Sequence, residues 1–143
     1  MKNHLENKFQ NEFAEAARFY GCYVVANVQS AFQMGQPDIR IWSRAGYAMD
    51  IENKVHRTGD LSRENILKLL RPTQKAVILH QLWPRNAPCL VVAHLHNNPE
   101  FCMVLGKSSE MSMRWKSLAC AISKVKTYEN FIELTQERIS DGN

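Results

Sequence analysis

Asp38, Glu52 and Lys54 are the residues whose types and spacing could act together on a phosphate. Asp38 opens the segment PDIRIW (37–42), where Ile39 and Ile41 alternate with Asp38 and Arg40 as on a half-buried strand. Glu52 and Lys54 lie in YAMDIENKV (47–55), which alternates in the same way after the turn SRAG. Period two puts Asp50, Glu52 and Lys54 on one face and Met49, Ile51 and Asn53 on the other. Glu52 and Lys54 are then about 7 Å apart along the strand. A hairpin that sets Asp38 beside Glu52 brings two carboxylates and an ammonium together. Paired carboxylates hold Mg²⁺, an ion of oxygen ligands and retained waters. The ion lowers the pKa of a bound water and polarises a phosphoryl oxygen, and a nearby lysine orients or deprotonates that water. No Ser, Tyr or His shares the face, so the chemistry expected is direct attack by water. The plain alternative is a salt-bridging strand face; the apolar flanks oppose it, because a charge buried there without a partner is costly.

The elements that must position these residues read as follows. Leu5, Phe9, Phe13, Ala16/Ala17 and Tyr20 recur at helical spacing, Asn3 can cap, Glu6 sits at the capping-box position, and Gly21 is a stop. CYVVANV (22–28) is β-branched and reads as a strand, with a loop over 29–36. HRTGDLSREN reads as a polar loop and ILKLL leads to Pro72. A helix is expected from Pro72 to about Leu82, its core face Val77, Ile78, Leu82 and Trp83. CLVVAHL (89–95) is a continuous apolar run, the mark of a central strand covered on both faces. FCMVLG (101–106) is a further strand, and 117–125 or 128–139 could each be helical. The order is α-β-β-β-α-β-β-α, an α/β sandwich around a mixed sheet, with no repeat and one domain over residues 1–143. Its core spans about 5–106, followed by a basic, helical extension at 107–143.

Gly35-Gln36-Pro37-Asp38 followed by Ile51-Glu52-Asn53-Lys54 resembles the motif of the PD-(D/E)xK nuclease superfamily. The virus-type replication-repair nuclease branch, which includes phage Holliday-junction-resolvase-like proteins, is similar in its GxPD turn and IExK strand. That branch also carries a helix Glu about fifteen residues before a Gly, as Glu6 and Gly21 stand here, and a Gln opening the next helix, as Gln74 does. The similarity runs from about Leu5 to Leu95. It implies a restriction-endonuclease-like core and Mg²⁺-dependent hydrolysis of DNA, with Mn²⁺ able to substitute. It implies that Asp38, Glu52, the Asn53 carbonyl and Glu6 hold the metal, that Lys54 handles the water, and that Gln74 steadies the site. Junction-resolving relatives are dimers, so branched duplex DNA and a homodimer are the partners implied. A compact phage or mobile-element protein acting in the host cytoplasm fits. A restriction-type or nonspecific nuclease, or a silent nuclease fold that only binds DNA, are the other readings.

Charge agrees with a nucleic-acid partner without deciding for one. The net charge is +4 over 143 residues. Residues 54–85 hold seven Lys/Arg against two acids, and 107–126 hold five against one. Within the first stretch Arg57, Arg63, Lys68, Arg71 and Lys75 are the phosphate contacts expected. The second stretch reads as surface rather than DNA contact. No apolar run approaches the ~20 residues of a membrane span, and MKNHLENKFQ is no signal peptide. The four cysteines form no CxxC pair, which points to reduced, mostly buried thiols in a reducing compartment. His94 and His96 share a strand face without the context of a zinc site.

Overall fold

The computed structural model describes residues 3–27 and 34–136. Val28, residues 29–33 of the expected loop and residues 137–139 of the expected last helix lie outside them. Helix α1 is His4–Phe19, and the Asn3 side chain accepts the Glu6 N–H at 2.9 Å. Its apolar stripe buries Phe9, Phe13, Ala14 and Ala17. Gly21, at φ +96°, turns the chain out of the helix.

Six strands follow: β1 Tyr23–Ala26, β2 Ile39–Trp42, β3 Ala48–His56, β4 Cys89–Leu95, β5 Phe101–Leu105 and β6 Glu110–Arg114. They form one sheet in chain order, antiparallel throughout except for the β3–β4 pair. Between those two strands the chain makes the crossover that parallel pairing requires. It runs through helices α2 (Arg63–Leu67) and α3 (Pro72–Val77), a wider π-helical turn at Ile78–Leu82 and a 3₁₀ turn at Trp83–Arg85. Helices α4 (Trp115–Ser123) and α5 (Tyr128–Glu133) close the described chain. The fold is α/β, a mixed six-stranded sheet flanked by helices.

Period two divides the core in two. Phe9, Phe13, Ile41, Met49, Ile51, Leu90, Val92, Leu118, Ile122 and Phe131 join α1, α4 and α5 to one face. Ile66, Leu70, Ile78, Trp83, Cys89, Val91 and Leu105 join α2 and α3 to the other. β4 is therefore covered on both faces, which is why its sequence is an unbroken apolar run. Each fully buried aliphatic or aromatic side chain contributes roughly 1.5–3 kcal/mol relative to exposure.

Three local expectations need correction. The polar stretch before Pro72 is not all loop: Ser62 accepts the Asn65 N–H at 3.2 Å and starts α2. The helix expected over 72–82 stays α-helical only to Val77, and it buries Gln74 and Ile78 while Val77 and Leu82 are half-buried. Strand β6 occupies part of the basic stretch, with Met111 and Met113 half-buried between the exposed Glu110, Ser112 and Arg114. The residues read as an extension supply Trp115, Leu118, Ile122 and Leu134 to the core against α1.

Candidate active site

The hairpin register decides whether the carboxylates meet. Ile39 pairs with Ile51, Arg40 with Asp50 and Ile41 with Met49, so one step further sets Asp38 opposite Glu52. The Asn27 N–H donates to the Asp38 carbonyl at 2.8 Å, which fixes the phase of β2: residue 38 turns its backbone toward β1, and residue 39 toward β3. On β3, Ile51 and Asn53 then direct their backbone groups toward β2, while Asp50 directs its N–H toward the Pro88 carbonyl on the β4 side.

The next ladder pair after Ile39–Ile51 would join Asn53 to Pro37. Proline has no N–H to give to the Asn53 carbonyl, so the ladder stops there. The Asp38 carboxylate takes over and accepts the Asn53 N–H at 2.8 Å. From Glu52 to His56, β3 pairs with β4 alone. The Pro37–Asp38 turn thus ends the β2–β3 ladder and sets Asp38 at the place where β3 outruns β2.

Glu52 is wholly buried, and the Gln74 amide and the Lys54 ammonium converge on its carboxylate. The Gln74 amide Nε2 donates to Glu52 Oε2 at 3.1 Å. Lys54 Nζ lies 3.7 Å from the same oxygen and 3.9 Å from Glu6 Oε1. Lys54 is 4% exposed and Gln74 1%. Lys54 therefore bridges a carboxylate from α1 and one from β3, and no apolar neighbour has to bear an isolated charge.

Gln74 does two things. Its Oε1 accepts the Arg71 N–H at 2.9 Å, closing the first turn of α3, and its Nε2 reaches Glu52. Helix capping and site support are alternatives at the level of sequence; here one amide uses its two ends for both. Gly35 explains how the GQPD turn reaches this helix. It has φ +88°, and a Cβ there would collide with the Thr73 carbonyl.

Other groups hold the turn. Asn27 Nδ2 donates to the Pro37 carbonyl at 2.8 Å and lies 3.4 Å from Asp50 Oδ1. Arg40 engages Asp50 through two bonds, of 3.0 and 3.1 Å, and this raises the guanidinium pKa. Asp50 is thereby a salt-bridge residue on the site face. Asn27 escapes a reading of the sequence, since a lone Asn after a strand carries no signal. Cys89, the register partner of Asp50, has its thiol pushed well up by burial and by the Asp50 and Glu52 charges.

Among the described residues, no three His, Cys, Asp or Glu side chains group closely enough to hold a metal by themselves. By register Asp38 falls opposite Glu52 at the end of the ladder, and the Asn53 backbone turns toward β2 beside the Asp38 carboxylate. Glu6 faces Lys54. His94, away from this group, bonds the Pro99 carbonyl at 2.7 Å and stacks on Phe9 at 4.4 Å.

The cations differ among themselves. Arg57, just past β3, and Lys68 and Arg71 are exposed, and Lys75 on α3 is half-buried. Arg63 is engaged inside the fold. It donates to the carbonyls of Gly106, Lys107 and Ser109 at 2.7, 2.6 and 3.2 Å, and lies 5.2 Å over the Trp83 ring. That ties α2 to the β5–β6 turn and gives Arg63 a structural use. No described helix is long and apolar enough to cross a membrane. No protein-family model matches the chain, and neither does any curated protein.

Proposed function

We propose that the chain is a metal-dependent endonuclease with a restriction-endonuclease-like core, hydrolysing DNA phosphodiester bonds at the Asp38–Glu52 pair. The observation that carries the reading is the register: Asp38 stands opposite Glu52, while Lys54 and Gln74 both reach Glu52 Oε2. The donor set is all oxygen, which suits a hard divalent cation better than zinc. Asp38, Glu52 and the Asn53 carbonyl would hold Mg²⁺ or Mn²⁺. Such an ion, when bound, polarises a phosphoryl oxygen and acidifies a coordinated water.

The remaining work falls to the chain itself. Gln74 keeps the buried Glu52 carboxylate in place through one amide hydrogen. Glu6 and Glu52 hold Lys54 Nζ, so its ammonium is positioned to orient the attacking water and to exchange a proton with it. The Asp38 turn is braced by Asn27, Gly35 and the Asn53 N–H, so the carboxylate is set before substrate arrives. Arg57, Lys68, Arg71 and Lys75 supply positive charge for the backbone of a duplex or branched DNA. The four thiols are free, which suits a reducing compartment such as the cytoplasm.

The test is a cleavage assay on labelled four-way junction, flap and linear duplex with Mg²⁺, Mn²⁺, Ca²⁺ or EDTA. Cleavage in Mg²⁺ and Mn²⁺, abolished by EDTA and by Asp38→Asn, is expected, with the junction cut preferentially. Equal cutting of all substrates would favour a nonspecific or restriction-type enzyme. DNA binding without cleavage under every metal would overturn hydrolysis and leave a silent binding protein.

A further inference from the structure

The two edges of the sheet are β1 and β6, and the chain treats them differently. On β1, Val24 and Ala26 direct their backbone groups outward, because Asn27 bonds inward to Asp38. The Arg18 guanidinium donates to the Val24 carbonyl at 3.1 Å and covers that edge.

On β6 the phase is set by Gly106 N–H to Ser109 carbonyl and Trp115 N–H to Glu100 carbonyl, at 2.9 and 3.1 Å. Met111 and Met113 therefore bond to β5, and the backbone groups of Glu110, Ser112 and Arg114 point outward. The Arg114 carbonyl starts α4, whose N-cap is Arg114, while the Arg114 N–H and the N–H and carbonyl of Glu110 and Ser112 face away from β5. β6 also lacks the proline or lysine that usually protects an edge.

The outward strand is complementary to itself. Glu110-Met111-Ser112-Met113-Arg114, turned antiparallel about Ser112, sets Glu110 opposite Arg114, Met111 opposite Met113, and Ser112 opposite its own copy. The residues with outward backbone groups fall in the hydrogen-bonding pairs; with the Arg114 carbonyl committed to α4, about four backbone bonds form across the axis. Met111 and Met113 fall in the closer, non-hydrogen-bonded pairs, on the side where Ser117, Ala121 and Leu134 line a groove. Glu110 and Arg114 lie on the opposite, exposed face. Glu110 now lies 3.8 Å from Arg63, whose guanidinium is otherwise held by three carbonyls, and Arg114 lies 3.4 Å from the exposed Glu100, so both can change partner at little cost.

We propose that β6 is the interface of a homodimer in which two sheets join edge to edge across a two-fold axis at Ser112. The proposal does not rest on nuclease activity, and its test reads mass rather than cleavage.

Light scattering and sedimentation of the full chain at tens of micromolar should report twice the 16.5 kDa chain mass. Ser112→Pro removes an N–H that points away from β5, so it should yield a monomer with unchanged circular dichroism. Glu110→Arg and Arg114→Glu, each alone, should raise the dimer dissociation constant at least tenfold. The double variant should restore it, since each new pair is again of opposite charge. If Ser112→Pro fails to fold, the charge exchange decides. A wild-type monomer at every concentration overturns the proposal. So does a dimer indifferent to Ser112→Pro, or one that shows no charge rescue.

Discussion

The carboxylate of Asp38 accepts the backbone N–H of Asn53 at 2.8 Å, in the position where the β2–β3 ladder would have placed the next backbone bond. Pro37 cannot complete that ladder pair, and the following side chain substitutes for half of it. Pro37 ends the sheet pairing, the register sets Asp38 opposite Glu52, and this one hydrogen bond orients the Asp38 carboxylate. The strand end and the candidate site are the same structural event.

Asp38 variants should separate these two roles. Asp38→Asn keeps an oxygen acceptor for the Asn53 N–H and should melt close to wild type, while cleavage falls on the order of 10³-fold. Asp38→Ala removes the acceptor as well and should cost about 1–3 kcal/mol more. Denaturant titration beside the cleavage assay checks both. Equal stability of the two variants would show that the Asn53 bond contributes nothing.

Lys54→Ala leaves the buried Glu52 without its nearby cation and should destabilise the fold by about 3 kcal/mol. Lys54→Arg keeps the charge, but the guanidinium does not give up a proton near neutral pH and is bulkier, so turnover should stay low. Mn²⁺ binding by calorimetry should survive in the arginine variant. Loss of binding together with activity would make Lys54 a structural residue.

Two glycines with nearly the same backbone angle should answer differently to alanine. Gly46 has φ +86° and open space around it, so Gly46→Ala should cost only about 1 kcal/mol of backbone strain. Gly35→Ala adds a collision with the Thr73 carbonyl and should cost at least twice as much. It should also depress cleavage, because the turn must back away from α3. Thermal melts of the two variants side by side give the comparison.

The thiols make a pH prediction. Cys22 is pushed up to about 11, with burial as the main cause, and Cys102 to about 12 by burial. A raised folded-state pKa contributes stability that is fully present below the unfolded value of about 9, and lost as pH rises through the folded one. Stability should therefore decline between pH 9 and 12 by more than in a variant carrying Cys22→Ser and Cys102→Ala. At pH 8 in native buffer, half-buried Cys120 should be the first thiol to react with a disulfide reagent, and all four should react in denaturant.

Salt dependence distinguishes surface cations from Arg63. Replacing Arg57 and Arg71 by Ala should flatten the log–log slope of DNA affinity against salt by about 0.9 for each phosphate that is no longer neutralised. Arg63→Ala should instead lower the melting temperature, since it releases three carbonyls and the face of Trp83. A slope change from Arg63→Ala at unchanged stability would place Arg63 on the DNA surface as well.

The sequence by itself determined the elements with strong periodicity and the residues sharing a face. The stripe of Phe9, Phe13 and Ala17, the alternation around Ile39 and Ile51, and the apolar run of β4 could take no other arrangement without exposing the core. The grouping of Asp38, Glu52 and Lys54 followed from period two once the two strands were paired. Only the tertiary structure decided what lies far apart in the chain. That Glu6 meets Lys54, that Gln74 spans Arg71 and Glu52, and that Arg63 clasps the β5–β6 turn depend on how helices pack across the sheet. Strand β6 escaped because its alternation spans only five residues inside a basic stretch, and β5 supplies the pairing that makes it a strand. Local pattern reports which face a residue takes; distance along the chain carries no record of which faces meet.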